Sequence, residues 1–194
     1  MLKYKILNEA FSKHRLIAFR TEKEEWGETI IGYVVGLEVG KITIKEIDEY
    51  GFPIGVTTFK TDDLIDIMIE DKTIRCLEIL ERNQQSLSPE KSATVWGIGE
   101  DIKNRLTESI TERKPVILFV KDGDTDDTNI IGFIKEMDDD CVLVELIDRY
   151  GEYDGRILIP IDTITGVRLD GQESNARWLL YQFRCNRDAS CSNC

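Results

Sequence analysis

Apolar residues recur along this chain first at helical spacing and then at strand spacing, and the whole succession occurs twice. Leu2, Ile6, Leu7, Ala10 and Phe11 fall on one helical stripe, as do Ile102, Leu106 and Ile110 within residues 100–111. Short apolar runs follow at 16–20 and 116–120, then polar stretches at 21–28 and 121–129. Residues 29–37 and 130–137 predict second strands, and 41–47 and 141–147 predict third ones. Ile42 and Ile44 alternate there with Thr43 and Lys45, which puts one face in a core and the other in water. Residues 56–60 and 156–161 give a fourth strand, and 64–69 and 164–169 a fifth. Each copy closes on a helical pattern. The first spans 72–82, with Ile74, Leu77 and Leu80 on one side; the second spans about 174–183, with Ala176, Leu179, Leu180 and Phe183.

The two successions match residue for residue at a spacing of one hundred. Ile30-Ile31-Gly32 returns as Ile130-Ile131-Gly132, and Asp48-Glu49-Tyr50-Gly51 as Asp148-Arg149-Tyr150-Gly151. From Ile17–Asp66 against Ile117–Gly166, eleven of fifty positions are identical and eight more exchange one apolar residue for another. This is one small domain written twice. Five strands in about fifty residues are too short for a large sandwich and suit a sheet bent on itself. Gly32 and Gly132, inside strand patterns, mark a bend or a close backbone approach. The expected fold is mainly β with flanking helices (α+β): two tandem five-stranded bent small barrels, each with an N-terminal and a C-terminal helix. The expected layout is a first repeat at 1–82, a polar linker at 83–97 in which Trp96 docks on a domain, a second repeat at 98–184, and a cysteine-containing tail at 185–194.

A helix, five short strands and a Gly opening the second strand resemble the Sm/LSm family of small barrels, which are SH3-like. Residues 32–44 and 132–144 carry the resemblance, with Glu38 and Asp138 as the acidic residues before the third strand. It implies the fold. It does not imply RNA binding through the family's signatures, because the Asn after the acidic residue is replaced by Lys41-Ile42 and Cys141-Val142. The Arg-Gly pair is likewise replaced, by Thr61-Asp62-Asp63 and Ile161-Asp162-Thr163.

Charge narrows the partners. The formal net charge is −12, from 25 basic and 37 acidic side chains. A field of that sign repels phosphate backbones and favours a basic protein partner, so nucleic acid is not the expected ligand. No run approaches the roughly 18 apolar residues of a membrane span, and the N-terminus has no apolar core of signal-peptide length. The expected location is cytoplasmic, without membrane association.

Candidate chemistry is sparse. The repeated Asp48, Tyr50, Gly51 and Asp148, Tyr150, Gly151 could form a duplicated binding loop, with each Tyr as a flat contact. They could equally form a turn, in which Asp satisfies local N–H groups and Gly51, Gly55, Gly151 and Gly155 take positive φ. Retention in both copies favours the turn. Cys185, Cys191 and Cys194 offer three thiolates to a soft metal, where a closed structural zinc site wants four ligands. His14 is the only histidine, beside Lys13 and Arg15 at a helix end, and reads as structural. Asp122, Asp124, Asp126 and Asp127 lack the register of a calcium loop, and the Gly-x-Gly at 97–99 lacks a dinucleotide fingerprint. No nucleophile–base pair stands out, so neither an enzyme nor a cofactor is expected. The leading expectation is a non-catalytic, acidic, protein-binding adaptor or inhibitor of the immunity type. The alternative is a degenerate Sm-like RNA-binding module. A monomeric pseudo-dimer and a homo-oligomer are both compatible with the repeat.

Overall fold

A computed structural model describes residues 2–21, 29–87, 93–97, 99–121 and 128–191, the side chains of 128 and 186–191 excepted. The chain forms two compact units, Met1–Gln84 and Gln85–Cys194. Among the described residues, four α-helices and two antiparallel sheets make an α+β fold.

In the first unit, helix α1 (Leu2–Lys13) leads into β1 (Leu16–Thr21), β2 (Ile30–Glu38), β3 (Lys41–Ile47), β4 (Pro53–Lys60) and β5 (Leu64–Met68), and α2 (Lys72–Arg82) closes it. The strand order is β4-β3-β2-β1-β5. Asp71 caps α2, its carboxylate accepting from the Ile74 N–H at 2.7 Å. Leu7 and Ala10 of α1 bury against Ile17, Phe19, Val34, Ile42, Ile44 and Leu64.

The second unit runs β6 (Thr94–Trp96), α3 (Glu100–Glu112), β7 (Val116–Val120), β8 (Thr128–Met137), β9 (Cys141–Ile147), β10 (Tyr153–Pro160), β11 (Ile164–Arg168) and α4 (Gln172–Cys191). Its sheet has six strands, in the order β10-β9-β8-β7-β11-β6. Alternate residues of β7 face opposite ways. Val116 and Leu118 pack with Ile102 and Leu106 of α3, whereas Ile117 and Phe119 pack on the side of Tyr181 from α4. That two-sided burial explains why β7 reads as an unbroken apolar run. In both units the strand pairing leaves the sheet open at its ends.

Three features differ from the sequence expectation. Residues 94–96, assigned to the linker, form an edge strand on β11, where Trp96 pairs with Gly166 and its ring lies 4.7 Å from that of Phe119. The closing helix expected over about 174–183 is longer, since the α4 backbone continues through Cys185 to Cys191. The spacing of one hundred fails before the first loop. Ile17 lies opposite Gly32, but it is Val116, not Ile117, that lies opposite Gly132. Phe19 faces Ile67 while Leu118 faces Val167. The first helix and strand therefore correspond at a spacing of ninety-nine, and the second copy gains one residue before β8. The identities of Ile17 with Ile117 and of Phe19 with Phe119 are coincidences of composition. His14 matches Arg113, each holding positive φ (49° and 53°) just after its helix.

The glycine inside each second strand does what strand glycines usually do. A Cβ on Gly32 or Gly132 would run into the carbonyl oxygen of Lys45 or Glu145 on the next strand. A bulge follows each, between Val34 and Gly36 and between Ile134 and Glu136, and bends the strand. Among the described residues no helix is long and apolar enough to cross a membrane.

Candidate functional site

The duplicated Asp-x-Tyr-Gly loops join β3 to β4 and β9 to β10. In the first, one carboxylate oxygen of Asp48 accepts from the Tyr50 and Phe52 N–H groups at 2.9 and 2.8 Å. Asp148 does the same for Tyr150 and Glu152 at 2.9 and 2.7 Å. The Gly51 and Gly151 N–H groups each donate to the Asp carbonyl at 3.0 Å. One carboxylate oxygen of each Asp is thus engaged by its own turn.

Both glycines take positive φ, 84° and 73°, and both sit against the closing helix. A Cβ on Gly51 would lie 2.9 Å from Glu81 Cα, and one on Gly151 2.5 Å from Tyr181 N. The Gly51 carbonyl accepts from Gln84 Nε2, and the Tyr150 carbonyl from Arg184 Nε at 3.1 Å. Each loop is therefore a bracket clamping the last helix to the sheet. Gly155 also has positive φ (99°), but Gly55 does not. The two β-bulges differ: Ile54 is the extra residue in β4, whereas Asp154 and Gly155 share the bulge in β10.

Among the other sequence candidates, Cys185 is an exposed thiol on α4. Cys191 lies on the same helix with its side chain outside the description, and Cys194 lies outside the described residues. No group of three or more His, Cys, Asp or Glu side chains that could hold a metal occurs among the described residues. The aspartates at 122–127 lie outside them. His14 is stacked flat on Tyr33, with ring centroids 4.5 Å apart and planes 6° apart. Burial, then the hydrogen bond to Glu81, pushes the Tyr33 phenol above its ordinary value.

Two arrangements were hidden in the sequence. One is a turn junction at the same end of each unit, acidic in the second. The Ile161 N–H donates to the Asp140 carbonyl at 2.8 Å, which joins the β8–β9 turn to the 3-10 turn at Ile161–Thr163. Asp138, Asp139, Asp140 and Asp162 are exposed there. Lys103 answers part of that charge, 3.7 Å from Asp139. Backbone N–H groups of Cys141 and Asp140 hold the Asp138 carboxyl below its usual range. The first unit makes the same junction through Thr61 N–H and the Gly40 carbonyl at 3.0 Å, but there the exposed Glu38 and Asp62 stand beside the exposed Lys41 and Lys60, which pair across β3 and β4, and beside Lys3, which donates to the Thr61 carbonyl at 2.9 Å. The repeat of Asp62 as Asp162 was the sequence signal for it.

The other arrangement is a groove of about 420 Å³ in the second unit, between the end of α3, β8 and α4. Phe133, Trp178 and Tyr181 form one aromatic cluster with centroid separations of 5.2–5.8 Å. Arg113, Lys114 and Lys135 line the same groove. These residues lie far apart in sequence, so no local motif announces them. No protein-family model and no curated protein matches this chain.

Proposed function

We propose that the chain is a non-catalytic binding protein: an adaptor or inhibitor built from two small Sm-like bent barrels, whose acidic surface receives a basic protein partner. The observation that carries the reading is the exposed Asp138, Asp139, Asp140 and Asp162 gathered at one end of the second unit, within a chain of net charge −12. Such a surface accelerates encounter with a cationic partner and rejects like-charged ones. The bend glycines and bulges of β2 and β8 support the barrel reading. The turn-forming hydrogen bonds of Asp48 and Asp148 support a structural role for the Tyr-Gly loops.

The immobilised full chain, exposed to a cell extract treated with nuclease, tests this. Basic proteins should be retained at low salt, should bind saturably when purified, and should be released as salt rises. Retention of RNA in preference to protein, or no saturable basic binder, rejects it.

A further inference from the structure

The aromatic groove of the second unit has a counterpart in the first, and the comparison says what it takes. At the matching positions Phe133 stands where the first unit has Tyr33, Trp178 where it has Glu78, Tyr181 where it has Glu81, Lys135 where it has Val35, and Arg113 where it has His14. In the first unit the place is occupied from within. The His14 imidazole stacks on the Tyr33 ring, and the Tyr33 hydroxyl donates to Glu81. Among the described residues of the second unit no aromatic ring is stacked parallel to the equivalent ring: Phe133 lies at 70° to Trp178 and 55° to Tyr181, and a cavity of about 420 Å³ opens beside them. That volume falls in the usual range for small-molecule sites.

The polar lining sets the charge of the occupant. Lys114 is held by Glu112 and Asp170 at 2.9 and 3.2 Å, and Lys135 by Glu145 at 3.0 Å. Arg113 makes no ion pair among the described residues and is exposed at the groove's edge. One uncommitted guanidinium beside three aromatic rings suits one anionic group attached to a flat ring. A long phosphate backbone, by contrast, meets the repulsion of the acidic chain.

We infer that this groove binds a small aromatic anion of the nucleoside monophosphate type. The ring stacks within Phe133, Trp178 and Tyr181, as His14 does on Tyr33, and the anionic group is held by Arg113. This is independent of the protein-binding reading, which rests on the aspartates around the β8–β9 turn.

Adenosine 5′-monophosphate is the probe, titrated calorimetrically into the full chain. A single saturable site with Kd of order 10–1000 µM is expected. Arg113→Gln, an exposed change that spares the packing, should weaken binding about tenfold. Trp178→Glu, which installs the first unit's residue, should weaken it at least about tenfold, with folding verified by circular dichroism. His14→Ala, in the other unit, should leave it unchanged. Absence of saturable binding at millimolar probe overturns the inference. So does equal affinity for inorganic phosphate alone, an unchanged affinity in both Arg113→Gln and Trp178→Glu, or binding of a short single-stranded RNA but not of the mononucleotide.

Discussion

Single positions in the duplicated loops carry disproportionate weight. Gly151 combines left-handed backbone with contact against the α4 main chain, so Gly151→Ala should destabilise the second unit by about 2–4 kcal/mol. Gly40 also has positive φ, but a Cβ there meets open space, and Gly40→Ala should cost only about 1 kcal/mol. Chemical denaturation of the full chain, followed by a probe in the affected unit, separates the two values. Asp148→Ala strips acceptors from two N–H groups and should cost about 1–2 kcal/mol by the same measurement. Glu145 predicts the acid response. Burial alone would raise its carboxyl, but hydrogen bonds and charges from Lys135 and Arg156 outweigh that and hold it below its ordinary value of 4.5. A carboxyl depressed in the folded state contributes stability above that ordinary value and loses it as pH falls through the lower folded one. Unfolding midpoints of the second unit should therefore drop below about pH 4, and Glu145→Gln should flatten that drop.

Among the strands, the two copies part company at one edge. In the first unit Arg20 and Asp66 face each other across β1 and β5 and form an ion pair. The matching positions in the second unit are Phe119 and Gly166, and Trp96 of β6 lies over both. A glycine opposite an aromatic residue leaves a gap that the indole fills, which is why an extra strand is seated there. Val95→Pro should detach β6, because proline cannot donate to the ladder. Amide hydrogen exchange along β11 should then quicken at least about tenfold, while that of β9 stays slow. How much of this was legible follows from length and period. Strand β3 announced itself through the alternation of Ile42 and Ile44 with Thr43 and Lys45, and β9 through its match to β3 at a spacing of one hundred. Strand β6 has three residues and no period to display. The change of spacing from ninety-nine to one hundred was masked because Ile17 and Phe19 find identical residues one place out of register. The groove could not be read from the chain, since its rings come from β8 and α4 and its guanidinium from a residue after α3.

For the chain as a whole, the proposed binding role predicts encounters steered by charge. With 37 acidic against 25 basic side chains, association with a cationic partner should be fast at low ionic strength and slow steeply as salt is added. Stopped-flow association rates at several salt concentrations measure this. Replacing Asp138, Asp139 and Asp140 together with Asn should lower the association rate far more than it raises the dissociation rate. A rate indifferent to both salt and that substitution would place recognition elsewhere.

Chains that carry the same fold twice run the hazard of assembling with their halves exchanged. The divergence around Tyr33 and Phe133 works against it. A closing helix docked on the wrong sheet would bring the Glu81 carboxylate to a phenylalanine ring with no hydroxyl to offer, and would leave the Tyr33 phenol without its acceptor. A buried mismatch of that kind is penalised on both sides of the swap, so the differences between the copies double as addresses that direct each helix to its own sheet.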